Sequence, residues 1–136
     1  MTEKLESNPF CFVCGQENPR GLKAKIAKQA DGCSISITLE NTLEGYRGII
    51  HGGILVSLMD EVMAYAVSND NLWGVTASLE VKFKKKVSSE KQIIVTGKVI
   101  ERKGSWAKAY AQIKYENDEE ILAEAKGLFK LLPLKQ

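Results

Sequence analysis

The residues with the clearest chemical potential lie in one stretch, "GYRGIIHGGILVSLMDEVMAYAV", residues 45–67. Its histidine, His51, is the only one in the chain, and it is followed by Gly52 and Gly53. Asp60 and Glu61 then interrupt a long apolar run that holds no Lys or Arg. A run this rich in helix formers, unbroken by Gly or Pro from Gly53 to about Ser68, predicts a helix opened by the His51-Gly52-Gly53 turn. A helix N-terminus offers free backbone N–H groups and partial positive charge, and glycines let a ligand approach the backbone closely. Donors placed there can hold a developing oxyanion, which suits acyl transfer from a thioester or ester.

Asp60 poses the complementary question. A carboxylate on an apolar helix without a basic partner has a raised pKa and asks for a role, either as general base toward water or as nucleophile toward a carbonyl. Glu61 stands about 100° further round the helix, so the two acids cannot share a direction, and Glu61 is expected to pair at a subunit surface. Gly52 and Asp60 are eight residues apart, roughly 12 Å along a helix axis at 1.5 Å per residue. That is too far for both to act on one carbonyl. Two antiparallel helices related by a twofold axis bring Gly52 of one subunit to Asp60 of the other, so a dimer is expected to complete the site.

The elements that must hold this helix follow from periodicity. Alternating patterns on either side of Asp31-Gly32 predict strands near Leu22 to Gln29 and Cys33 to Leu39. Beyond the helix, "TASLEVKFKKKV" places Ala77, Leu79, Val81 and Phe83 on one face and Thr76, Ser78, Glu80 and Lys82 on the other. Two more strands meet at a Lys103-Gly104 turn. The last segment, "EEILAEAKGLFKLLPL", has helix-forming composition, yet Ile121, Ala123, Ala125, Gly127, Phe129 and Leu131 alternate with polar residues, which selects a strand. The fold class is α+β: an antiparallel sheet of five or six strands curled around one central helix that has almost no polar face.

Composition limits the function classes. The 136 residues suit a single domain, 1–136, with residues 1–20 as a leader containing a Cys-x-x-Cys turn. With 19 basic and 17 acidic residues the charge gives no case for nucleic-acid binding. The polar N-terminus and the interrupted apolar run predict a cytoplasmic protein that neither enters nor spans a membrane. Cys11, Cys14 and Cys33 are expected to be free thiols. The Cys11-x-x-Cys14 spacing also fits a zinc knuckle, but the sequence leaves only Cys33 and His51 as further ligands, so a tight turn ending at Gly15 and no metal is the expectation.

The array from Gly45 to Val67, followed by "GVTASLEVKFKKKV", resembles the PaaI-like acyl-CoA thioesterases of the hotdog-fold superfamily. There a histidine-glycine-glycine turn opens the central helix and an acid lies nine residues after the histidine, as Asp60 does here. The resemblance runs from about Gly21 to Leu132, and "CFVCGQENPRGL" resembles a leader of some uncharacterised members. It implies a sheet wrapped round the helix, homodimers assembled into homotetramers, and active sites at the dimer interface. Carried over by position, the Gly52 N–H polarises the thioester carbonyl, Asp60 activates water or attacks directly, His51 shapes the turn or approaches substrate, and Thr76 holds the attacking water.

Gly53 joins the substrate-binding turn, and Lys84 and Lys86 of "KFKKKV" are candidates for the coenzyme A phosphates. Coenzyme A is then part of the substrate, and no separate cofactor is implied. Gly45 departs from the asparagine that several members keep six residues before the histidine, although a related subset has glycine. Tyr46, Met59, Met63 and Trp73 are candidates for the acyl-pocket wall, core or interface. The resemblance implies hydrolysis of an acyl-CoA thioester; the alternative is a non-catalytic acyl-CoA-binding or regulatory hotdog protein. A hydratase would want a second histidine, which the chain lacks.

Overall fold

A computed structural model describes residues 4–135; residues 1–3 of the expected leader and residue 136 lie outside it. The elements are strands β1 (Ala27–Gln29) and β2 (Gly32–Thr38), a 3-10 turn at Asn41–Leu43, helix α1 (Gly52–Val67), and strands β3 (Leu72–Phe83), β4 (Gln92–Lys103), β5 (Trp106–Tyr115) and β6 (Ala123–Pro133). All pairings are antiparallel, in the order β1-β2-β4-β5-β6-β3. Strands β2 to β6 all touch α1, so the sheet curls round the helix as the periodicity required.

Helix α1 buries Leu55, Leu58, Met59, Val62, Met63 and Val67, the three- and four-residue spacing of one helical stripe. Against it the strands supply Ile35, Val95, Ala109, Ala111, Ile113, Ala125 and Phe129, all nearly inaccessible. The helix backbone packs tightly on the sheet at Gly97, where an added Cβ would lie 2.7 Å from the Val62 carbonyl carbon and oxygen. Cys33 Sγ donates to the same carbonyl at 3.0 Å. Met59 and Met63 are therefore core, fully buried within the chain.

The final segment is a strand despite its helical composition, because Ala123, Ala125, Gly127, Phe129 and Leu131 alternate into the core. The first strand is shorter than expected. Its predicted beginning pairs instead with the Cys-x-x-Cys segment, Leu22 N–H donating to Phe12 O and Ala24 N–H to Val13 O, both at 2.8 Å. The hairpin turn also shifts by one residue, to Ala30-Asp31, leaving Gly32 inside β2 opposite Gln29. Gly32 is needed there for close approach: a Cβ would sit 1.9 Å from Gly97 O.

Strand β3 is a twelve-residue edge strand paired only with β6. Its register shifts between Thr76 and Ser78, and that bulge reverses the side-chain parity expected from simple alternation. Thr76 lies opposite buried Phe129, while Leu79 lies opposite Gly127 and Val81 opposite Ala125. Thr76 thus shares the helix-facing side with Leu79 and Val81, where sequence alternation had put it on the opposite, polar face.

Candidate functional site

The loop that delivers the helix N-terminus is tied at several points. Ile50 N–H donates to Val87 O at 2.9 Å and His51 N–H to Leu43 O at 3.0 Å, while Gly48 turns the chain at φ +81°, a conformation glycine adopts without strain. His51 is the N-cap, its Nδ1 accepting from Gly53 N–H at 2.9 Å. An imidazole that accepts at Nδ1 carries its proton on Nε2, so the ring both caps the helix and retains one donor. The Gly53 N–H is engaged by this cap. The Gly52 N–H, by contrast, has no acceptor among the described residues.

Gly52 lines a cleft of about 380 Å³, together with Tyr46, His51, Phe83, Lys84 and Lys86 among others. The structure therefore gathers His51, Gly52 and both nominated lysines in one place. Lys84 is paired with Glu124 at 3.2 Å, and Lys85 with Glu120 at 3.2 Å. Lys86 forms no ion pair among the described residues.

Asp60 is not part of this cleft. It sits on the helix face shared with Gly53 and Ser57 and receives Thr76 Oγ1–H on Oδ1 at 2.6 Å. The bulge in β3 makes this bond possible by turning Thr76 toward the helix. Burial pushes the Asp60 pKa above the ordinary carboxylate value, and the Thr76 bond offsets part of the rise by favouring the charged form. Oδ2 has no hydrogen-bond partner among the described residues. One oxygen is thus fixed while the other is free to take a proton.

This geometry makes a pH prediction with a definite sign. Asp60 works as a base only when ionised, so turnover should rise with pH through a pKa above the usual carboxylate range. Thr76→Val removes the bond that favours the charged form. The acidic limb of kcat/KM against pH should then move to higher pH, and an unmoved limb would detach Thr76 from the titrating group.

Within the chain Glu61 already has partners, those of the leader. It is half-buried beneath the leader, with Cys11 Sγ donating to Oε2 at 3.7 Å and Cys14 Sγ 3.4 Å from the Tyr65 hydroxyl. Burial raises the Glu61 pKa, opposed by the thiol hydrogen bonds. Burial likewise pushes the Cys14 thiol up to about 12, with Glu61 adding to the rise. Trp73 stands beside Tyr65, ring centroids 6.3 Å apart, and lines the cavity next to these groups. Neither Cys33 nor His51 joins the cluster, because Cys33 is buried on β2 and His51 caps the helix. Sequence reasoning overlooked Glu61 and Tyr65 as companions of the Cys pair. Their four-residue spacing on one helix face was the available signal.

No curated protein matches the chain. Among solved structures, a thioesterase superfamily protein superposes with TM-score 0.78 at 21% identity, over 90% of this chain and 60% of that one. The chain thus spans less than two thirds of that protein. A hypothetical thioesterase protein from Streptococcus pneumoniae, solved with coenzyme A, matches with TM-score 0.74 at 19% identity, over 83% of this chain and 91% of that one. The E. coli PaaI protein from the phenylacetic acid degradation operon matches with TM-score 0.72 at 20% identity, over 80% of this chain and 83% of that one. Among the described residues no helix is long and apolar enough to cross a membrane. The profile of the thioesterase superfamily matches residues 47–122, more than half of the sequence and the whole of α1, and the chain belongs to that superfamily, with the hotdog fold that PaaI also has.

Proposed function

We propose that the protein hydrolyses an acyl-CoA thioester to the free acid and coenzyme A, at two sites shared across a homodimer. The observation that carries this reading is the pairing of an uncommitted Gly52 N–H in a lysine-rimmed cleft with an unneutralised carboxylate further along the same helix. Coenzyme A in the pneumococcal protein of the same fold supports the substrate class.

In the proposed site the thioester carbonyl oxygen accepts from Gly52 N–H of one subunit, and the partner subunit's Asp60 takes a proton from water through Oδ2. The water oxygen attacks the carbonyl carbon, and the oxyanion of the tetrahedral intermediate forms against the Gly52 N–H and the positive end of α1. Collapse breaks the C–S bond, and protonated Asp60 returns its proton to the leaving coenzyme A thiolate. His51 holds the glycine turn, and Thr76 orients the acid.

Two features of the chain support the dimer. Strand β3 offers twelve residues of unpaired edge, a surface that proteins cover or pair. The buried stripe of α1 that packs on the sheet leaves out Gly53, Ser57 and Asp60, and among the described residues Asp60 is met on this face by Thr76 of β3 alone, through one oxygen. Pairing β3 with its twofold mate sets the two helices antiparallel beside each other, as the spacing of Gly52 and Asp60 demands.

The test is thiol release from a panel of aliphatic and aromatic acyl-CoA thioesters. Turnover of at least one class is expected; acyl-CoA binding with no thiol release across the panel would leave a non-catalytic binding protein. On the same panel, Lys86→Glu should raise KM for acyl-CoA several-fold and spare short thioesters lacking the nucleotide, because only the former carries phosphates to the cleft rim. Lys84→Glu should act in the same direction, with an added loss from its pair with Glu124.

A further inference from the structure

The groups least explained by a thioesterase site are those beneath the leader. Cys11, Cys14 and Glu61 each offer one ligand atom, and these atoms all lie within 4.8 Å of one another. Two come from a knuckle near the N-terminus and one from the middle of α1, so the fold brings them together from 50 residues apart. Among the described residues no Lys or Arg pairs with Glu61.

The distances fit one ion. A tetrahedral zinc with Zn–S near 2.3 Å and Zn–O near 2.1 Å places its sulfur and oxygen ligands about 3.6 Å apart. Cys11 Sγ is 3.7 Å from Glu61 Oε2, and Cys14 Sγ is 3.4 Å from the Tyr65 hydroxyl. The frame around these atoms is built. The knuckle is closed by Gly15 N–H donating to Cys11 O at 2.9 Å, and a Cβ at Gly15 would lie 2.3 Å from Cys11 N. Val13 between the cysteines is buried in the core, and the Phe12 and Val13 carbonyls are held by Leu22 and Ala24. An adjoining cavity of about 280 Å³, lined by Cys11, Cys14, Glu61, Tyr65, Ser68 and Trp73, has room for a water ligand.

We infer that Cys11, Cys14 and Glu61 form a zinc site, with the Tyr65 hydroxyl or a water from the cavity as fourth ligand, and that the ion clasps the N-terminal segment onto α1. Binding displaces the protons of both thiols and leaves two thiolates and a carboxylate on the metal. Sulfur ligands with a single carboxylate select zinc over magnesium or calcium, which take oxygen. This inference departs from the sequence expectation of no metal, because the missing ligand was Glu61 rather than Cys33 or His51. It does not depend on thioesterase activity, and none of its readouts uses acyl-CoA.

The full-length chain, purified under reducing conditions without a metal-affinity step, should contain about one zinc per chain by mass spectrometry, or bind one equivalent when titrated. Cobalt substitution should give the sulfur-to-metal charge-transfer absorption of thiolate ligands. Cys11→Ser with Cys14→Ser should abolish both signals, Glu61→Gln should weaken zinc binding by about tenfold or more, and Cys33→Ala should keep them. Circular dichroism establishes that each variant is folded, and chelation should lower the Tm of the parent and leave that of the double serine variant unchanged. A folded, reduced chain that takes up neither zinc nor cobalt would overturn the site, as would native protein in which Cys11 and Cys14 are joined by a disulfide.

Discussion

Asp60→Asn should reduce thioester turnover by about 10²–10⁴-fold, the usual worth of a positioned general base, while leaving the protein folded. Asparagine keeps the shape and can still accept from Thr76 Oγ1, but it cannot take a proton from water. Stability should move the other way. The folded pKa of Asp60 is raised by burial, so the group's favourable contribution is full below the unfolded pKa and is lost as pH rises through the folded one. Above the folded pKa the wild-type chain carries an ionised, half-buried acid, and asparagine relieves that cost. Thermal melts should show the variant at least as stable as wild type near neutral pH, with the advantage vanishing in acid. A folded variant that kept full turnover would remove Asp60 from the reaction.

Gly52→Pro tests the other half of the site by replacing its backbone N–H with a ring carbon. Gly52 is the first residue of α1, where proline is well tolerated because no intrahelical bond uses its N–H. His51 already has φ −59° and ψ 133°, the extended conformation that a residue before proline requires. The nearest atoms to an added Cβ are those of the Phe83 ring at 3.4 Å, ordinary contact. The helix should therefore form as before, without its free donor. Turnover should fall by about 10²–10³-fold, as for the loss of one oxyanion donor, with the fall in kcat rather than KM. Gly52→Ala, which keeps the N–H, should retain most activity, and equal loss in both variants would point to a steric cause.

Much of this was legible in the sequence because its signals were local. The helix from Gly52 to Val67 follows from composition and its opening glycines, and the β6 strand from alternation that overrides helical propensity. The proposal of a second subunit also rests on a local feature, the eight-residue spacing of Gly52 and Asp60 along one helix. The rest depended on contacts that no local pattern contains. The bulge in β3 turns Thr76 to Asp60, and a period of two cannot register one extra residue. The surroundings of Glu61 were missed because the leader that covers it lies about 50 residues away in sequence. Gly32 and Gly97 were read as turn and strand residues, whereas their role is to let β2, β4 and the helix approach closely.

The shared site is tested most directly by a mixed dimer. Differently tagged Asp60→Asn and Gly52→Pro chains, each inactive alone, can be co-expressed and the dimer carrying both tags isolated. Such a dimer pairs the intact Gly52 of one chain with the intact Asp60 of the other in one of its two sites. It should recover about half the wild-type turnover per dimer. A mixed dimer no more active than its parents would mean that each chain completes its own site.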